Sequence, residues 1–507
     1  MEPKHPDAIF KTHLEERKVG EAQLDSAKQN LAKTYVNAFV NAGLGNDLLI
    51  CKKEGTEDWV FSNKDEGQMA AAASLGLLQI WDIDNGLDSI DKYMERAEVN
   101  ITAGSYLALG LLNSGIKNDA DAAFAILSDK LEAATKEQHK IGILMGLSMA
   151  YAGSNRADLL ELISPIIVDS DNSIQLQAIA SLSIGLIFCG SCDQDAAESI
   201  TQILLEKEEK DLEHSFTRIF ALGLGLLFLG QQSLVETSLE IVKMLPHKNM
   251  AEFVALVLET CAYAGSGNVL NIQKLLHLCA EHKEDEKESI HQIAAVIGVA
   301  LISFGEDIGQ EMCIRTMHHL LQYGEPIIRR TVPLALGLLR ISHPEVQTMD
   351  LLNKLAYDSD KQVAKCAIMA LGLIGGGTNN SRLAGNLRYL ATYYGAQPDL
   401  LFVVRISQGL VHLGKGMIGL SPMHSGKFLF SSVGLAGLIT VLYAATDMDT
   451  FICGKYHYFL YYLVLSMYPR MCVTLNEKLE NTKVSLKVGQ AVDTVGAAGK
   501  PKSITGF

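Results

Sequence analysis

The segment ILMGLSMAYAGSN, Ile143 to Asn155, carries no charge over thirteen residues and closes on Gly-Ser-Asn. Small residues at Gly146, Ser148 and Ala150 leave room for another backbone to come close, while the isoleucine, leucines and methionines fill a core. Gly153 can take the left-handed conformation that closes a helix, and Asn155 tolerates it. The segment therefore predicts a buried helix with a built-in stop, and it is not alone. Copies before it are AAAASLGLLQIW from Ala70 and YLALGLLNSG from Tyr106. Those after it are IASLSIGLIFCGS from Ile179, FALGLGLLFLG from Phe220, LVLETCAYAGSGN from Leu256 and AAVIGVALISFGE from Ala294. VPLALGLLR from Val332, AIMALGLIGGGTNN from Ala367 and ISQGLVHLGKG from Ile406 follow, with a weaker copy, VGLAGLITVL, from Val433.

The closing glycines Gly115, Gly153, Gly190, Gly230, Gly265, Gly305, Gly376 and Gly414 return every 35–40 residues or so, with one double step, which is the period of helical-hairpin solenoids. Each period holds two helices of about 12–15 residues and two turns. The partner helices are bulkier and charged: Ile90 to Arg96, Asp121 to Leu131, Asp195 to Lys207, Leu234 to Met244 and Ile308 to Leu321. Small side chains along one row and large ones along the other bend a stack toward the small row. The expected fold is all-α, a helical-hairpin repeat solenoid: an open superhelix at the minimum, and, where about ten units curve steeply enough, one closed into a toroid. Residues 1–66 read as a helical lead-in and a polar loop, 67–446 as the repeat toroid, and 447–507 as the start of a further domain. Val484 to Val495 alternates apolar and polar residues before Gly496, Gly499 and Pro501, so a short, partly β C-terminal segment is expected. Glu281 to Ser289 (EHKEDEKES) reads as a solvated loop.

Composition bounds the function. Of 507 residues, 48% are hydrophobic and 20% charged, which excludes a disordered chain, and only 11 are proline, which suits helices. A net charge of −15 disfavours nucleic acid, which needs a basic surface, and favours basic or partly apolar protein partners. Nine scattered cysteines in apolar surroundings predict reduced thiols, and Met1 to Phe10 lacks the apolar core of a secretory signal. Phe428 to Thr446 runs about 19 residues without charge, near the length of a membrane span. Its Ser431, Ser432 and Gly434, and its likeness to the other copies, favour a buried helix.

Three motifs bear on chemistry. Gly409 to Gly416, GLVHLGKG, has P-loop spacing but ends in Gly416 where Mg²⁺ binding needs Ser or Thr, and a repeat helix precedes it where a strand is required. Cys189-Gly-Ser-Cys192 falls in a repeat turn, without the βαβ context of a redox motif or a second ligand pair for zinc. The neighbours His318 and His319 diverge by about 100° on a helix and are poorly placed to share a metal. No nucleophile–base arrangement or carboxylate pair of a hydrolase is apparent. The chain is expected to be no enzyme and to need no cofactor.

Longer segments carry a resemblance. These are AAASLGLLQIWDIDNGLDSIDKY (Ala71 to Tyr93), CAYAGSGNVLNIQKLLH (Cys261 to His277) and GEDIGQEMCIRTMHHLLQYGEPIIRRTVPLALGL (Gly305 to Leu338). GGGTNNSRLAGNLRYLATYY (Gly375 to Tyr394), QGLVHLGKG (Gln408 to Gly416) and VGQAVDTVGAAGKPKSITGF (Val488 to Phe507) complete the set. From about Arg17 onward the chain resembles the family of 26S proteasome non-ATPase regulatory subunit 2, built on proteasome/cyclosome repeats. It contains no counterpart of that family's long N-terminal region and stops inside its C-terminal domain, so a fragment or shortened gene model is expected.

The resemblance implies a helical toroid that scaffolds the base of the regulatory particle beside the ATPase ring and other base subunits, in cytoplasm and nucleus. It also implies docking of ubiquitin, of shuttle proteins with ubiquitin-like domains, and of a deubiquitinase with such a domain. The family's receptor site for ubiquitin and ubiquitin-like domains carries onto Asp195, Gln202 and Glu206 in DQDAAESITQILLE. Positions i, i+7 and i+11 share a helix face, and Ile200 and Ile203 are the nearest apolar candidates. The deubiquitinase site carries onto Ile83, Asp84, Asp88 and Ser89 in WDIDNGLDS. At Asp88 and Ser89 the family often has amide or small polar residues. Two other classes compete: an α-solenoid adaptor unrelated to the proteasome, and an intramembrane protein of small-residue helices.

Overall fold

A computed structural model describes residues 2–10, 26–50, 59–169, 171–207, 214–282, 286–424, 429–470, 474–478, 480, 482, 484–488 and 502–506. By contact the chain divides into two units, Met1–Tyr468 and Pro469–Phe507.

In the first unit the small-residue segments form one row of helices. In order they are Glu66–Leu78, Val99–Leu112, Glu137–Ala150, Ile174–Ile187, Thr217–Leu227, Lys248–Ala262, Glu286–Ile302, Pro326–Leu339, Lys361–Ile374 and Pro398–Val411, each packed against the next. Most are buried all round; in Val99–Leu112 every residue from Ile101 on is buried. The second helices form an outer row with one buried stripe each. Ile83–Met94 buries only Gly86, Ile90 and Met94, at the three-to-four-residue spacing of an amphipathic helix. The fold is thus an α-solenoid of consecutive hairpins, as the repeats predicted.

The row is tight because its small residues meet backbone to backbone. A Cβ built on Gly110 would lie 2.2 Å from the Gly146 carbonyl oxygen, one on Gly185 2.3 Å from that of Gly223, and one on Gly76 2.2 Å from that of Ala108. The turns then stitch each hairpin to the next. The amides of Gly153 and Asn155 donate to the carbonyls of Leu186 and Ile187, and those of Gly190 and Cys192 to Leu226 and Leu227. Gly265 and Gly267 do the same to Leu301 and Ile302, and Gly377 and Asn379 to Leu410 and Val411. The last carbonyls of a helix have no partner inside it, and here the neighbouring turn supplies one. All eight donors have positive φ, so the alternation of left-handed residues aims two amides the same way. This explains the Gly-Ser-Asn texture, and it corrects one assignment: the left-handed residue is Gly377, not Gly376.

Ser26–Val40, from the lead-in, packs against both Glu66–Leu78 and Pro398–Val411, the first and last helices of the row. Tyr35 meets Phe402 edge-on at 6.4 Å, and Gly409 leaves space for Val36. Charged groups continue the contact: Lys28 pairs with Asp399, and the buried Lys365 lies 3.9 Å from Asp399 and pairs with Asp449.

The Val433 copy forms a helix, Ser432–Ala445, but does not extend the row. It packs against Ile174–Ile187, Thr217–Leu227 and Pro326–Leu339, all far before it in the chain. His457–Ser466, a 3₁₀ helix with all ten residues buried, packs against it and against Glu66–Leu78 and Glu137–Ala150. Tyr461 donates to the Ala70 carbonyl at 2.6 Å, and the Tyr35 hydroxyl bonds His457 Nδ1 at 2.9 Å. At 14 residues Ser432–Ala445 is short for a span, and among the described residues no helix is long and apolar enough to cross a membrane.

In the second unit Val484–Val488 pairs antiparallel with Lys502–Gly506, with Leu486 opposite Ile504. Residues 489–501 lie outside the described residues, as do 283–285 of the charged segment and 51–58 of the polar loop.

Candidate functional site

The first acidic face is on the outer helix Gln194–Glu206. Asp193 starts it: Oδ1 accepts the Ala196 amide at 2.9 Å, meeting one of the unpaired N–H groups of the first turn. Asp195 places a further carboxylate at the positive end of the helix. Ala196, Ala197, Ile200, Thr201, Ile203 and Leu204 are buried, while Asp195, Glu198, Gln202, Leu205 and Glu206 are exposed. The structure thus brings Asp195, Gln202 and Glu206 onto one outward face. Gln202 Nε2 donates to Glu206 Oε1 at 3.0 Å, across one helical turn. Ile200 and Ile203, offered by the sequence as apolar companions, belong to the core instead. The exposed apolar neighbour is Leu205, 44% accessible. On a helical wheel Ile203 and Leu205 lie about 80° to either side of Asp195, so only packing decides which one faces out.

The second acidic face is on Ile83–Met94. Asp82 precedes it and accepts both hydrogen bonds from Asn85 Nδ2, at 2.9 and 3.1 Å. Asp84 and Asp88 are exposed and one turn apart, with Asp91 and Glu95 exposed on the same side. Ile83 is half-buried at the edge of that face. Ser89 is half-buried at the opposite edge, its hydroxyl accepting from Gln79 Nε2 at 2.9 Å. The four residues therefore do not form one cluster: the two carboxylates stand together and the other two flank them. Asp91 and Glu95 were not singled out from sequence, although their i+7 and i+11 spacing from Asp84 is the pattern used for the first face. Two outer helices, Ala122–Ala133 and Ala157–Val168, intervene along the chain between the faces.

The other motifs settle into the scaffold. Gly409 to Gly416 is the end of a helix followed by a turn in which Gly414, Lys415 and Gly416 have φ of 50°, 55° and 88°. Cys189 and Cys192 are free thiols in a stitching turn, and burial pushes the Cys189 thiol up to about 12, away from the reactive thiolate. His318 and His319 are exposed, the latter against Tyr323 with ring centroids 4.8 Å apart. Among the described residues no group of three His, Cys, Asp or Glu is placed to hold a metal ion.

Stacked hairpins with a buried small-residue row and acidic outer faces define the class: an α-helical repeat protein of the solenoid type. Comparison with known proteins narrows it. Over its whole length the chain is 49% identical to 26S proteasome non-ATPase regulatory subunit 2 homolog A of Arabidopsis thaliana, across 513 residues. It is 47% identical to 26S proteasome regulatory subunit rpn-1 of Neurospora crassa across 514, and 45% to 26S proteasome non-ATPase regulatory subunit 2 of Dictyostelium discoideum across 506. The chain belongs to this family of proteasome regulatory subunits. It spans 55–57% of the length of these relatives. No family model matches it.

Proposed function

We propose that this chain is a non-catalytic scaffold and receptor of the 26S proteasome regulatory particle base, acting in ubiquitin-dependent degradation in cytoplasm and nucleus. In this reading the hairpin row closes into a toroid, a reading favoured by the packing of Ser26–Val40 on both ends of the row. The toroid sits beside the ATPase ring and other base subunits and holds docking faces outward. Asp195, Gln202 and Glu206 receive ubiquitin and the ubiquitin-like domains of shuttle proteins; Asp84 and Asp88, flanked by Ile83 and Ser89, receive the ubiquitin-like domain of a deubiquitinase. The observation that carries the reading is the outward acidic face at Asp195, Gln202 and Glu206, on a chain 45–49% identical to proteasome regulatory subunits. Carboxylates beside an exposed leucine suit the basic-rimmed apolar patch of a ubiquitin-like fold.

The test is titration of the chain with isolated ubiquitin and ubiquitin-like domains. Asp195→Arg with Glu206→Arg weakens shuttle-type domains by about tenfold or more, since reversing two charges opposes like charges across the contact. Asp84→Arg with Asp88→Arg does so for the deubiquitinase domain. Equal binding by wild type and variants refutes the site assignment. An adaptor unrelated to the proteasome is separated by affinity purification: it leaves the ATPase ring behind.

A further inference from the structure

Three consecutive outer helices, Val269–Ala280, Asp307–Tyr323 and Val346–Leu355, open with large apolar side chains in solvent. Val269 and Leu270 are 61% and 75% accessible, Ile308 and Met312 74% and 63%, and Val346 51%. Leu270, Ile308 and Val346 occupy corresponding positions 38 residues apart, one repeat each. Three other outer helices begin differently, Ala157–Val168 with Asp158, Gln194–Glu206 with Asp195, and Ser381–Tyr393 with Ser381 and Arg382, while the outer segment one repeat earlier also opens with an exposed apolar residue, Leu234. The helix starts lie side by side. A Cβ on Gly267, just before the first, would stand 3.3 Å from Glu306 Cγ, just before the second. The second and third rest on Pro326–Leu339 and Lys361–Ile374, which pack on each other. The middle of the rim is acidic: Glu306, Asp307 and Glu311, at the start of the second helix, are exposed, and among the described residues none has an ion-pair partner, while Glu345 before the third helix pairs with Arg340 at 3.0 Å. No Lys or Arg lies within the first turns of the three helices.

We propose that this rim is a docking surface for a basic amphipathic α-helix of a protein partner, lying across the three helix starts. The inner helices on which these three rest pack on one another, and packed helices stand roughly 8–10 Å apart, close to the roughly 10.5 Å that seven residues of an α-helix advance. A partner with an apolar residue at every seventh position therefore sets one side chain over each repeat, as in helix-in-groove recognition. Lysines or arginines beside that stripe face Glu306, Asp307 and Glu311. The same carboxylates repel an anionic membrane and a second copy of this rim. The surface is separate from the Asp195 and Asp84 faces, so the inference stands apart from the proposed receptor role.

The test uses two synthetic 22-residue helical peptides with leucine at every seventh position, one flanked by lysines and one by glutamates, titrated against the full chain by fluorescence anisotropy. The lysine peptide binds saturably and the glutamate peptide does not. Leu270→Asp with Ile308→Asp weakens the lysine peptide about tenfold or more, with the thermal midpoint unchanged because both side chains are already in solvent. Glu306→Lys with Glu311→Lys shifts preference to the glutamate peptide. Asp195→Arg with Glu206→Arg changes neither. Equal binding of the two peptides, binding of neither, or an unaffected Leu270/Ile308 variant overturns the proposal.

Discussion

Replacing glycine by alanine at Gly110 and at Gly385 tests how the inner row is built. Both lie inside helices, Val99–Leu112 and Ser381–Tyr393, and both gain the same intrinsic term, since alanine in a helix is better than glycine by about 0.5–1 kcal/mol. They differ in what the methyl group meets. At Gly385 nothing lies within 4 Å. At Gly110 it would stand 2.2, 2.3 and 2.5 Å from the carbonyl oxygen, Cα and carbonyl carbon of Gly146, which belong to another helix and cannot rotate away. Forcing a methyl into such a contact costs about 1–3 kcal/mol. Gly385→Ala therefore stabilises by about 0.5–1 kcal/mol, and Gly110→Ala ends about 1–3 kcal/mol below it. Urea unfolding followed by far-ultraviolet circular dichroism reads the two shifts. If Gly110→Ala is as stable as Gly385→Ala, the helices do not meet backbone to backbone and the account of curvature fails.

Two further outcomes follow from the turns and the buried core. Gly230 has φ of 77° and nothing within 4 Å of where a methyl group would stand, so Gly230→Ala carries backbone strain alone, about 1–2 kcal/mol; Gly230→Asn loses less, and equal loss in urea midpoint refutes the stitching role of left-handed backbone. His457 is buried and held near about 3 by burial, while an unfolded histidine titrates near about 6.5. The unfolded chain takes the proton first, so this contribution to stability is complete above about pH 6.5 and is lost progressively toward pH 3. The urea midpoint falls between pH 7.5 and 5, and His457→Asn flattens that slope; an unchanged slope in the variant removes His457 as the cause.

The repeat period, the small-residue row and the turn glycines were legible in the sequence because each is a local pattern fixed by helix geometry and by the left-handed backbone that glycine and asparagine tolerate. The same geometry placed Asp195, Gln202 and Glu206 on one face before any fold was known. What could not be read locally was which neighbour each face meets. Ile203 and Leu205 are symmetric about Asp195 on the helical wheel, and only contact with the inner row buries the first and exposes the second. Ser89 stands about 140° from Asp84 on the wheel by periodicity alone, and what packing added is its partner, Gln79. The Val433 segment has the texture of a repeat, yet it packs on three distant helices of the row, because texture reports that a helix is buried and not by what. The apolar rim at Leu270, Ile308 and Val346 is spaced by the repeat, but a leucine in a repeat reads as core until the stack shows its side chain in solvent. Periodicity along the chain is set by each residue's own chemistry and its near neighbours; which side of a helix stays in water is set by segments tens to hundreds of residues away.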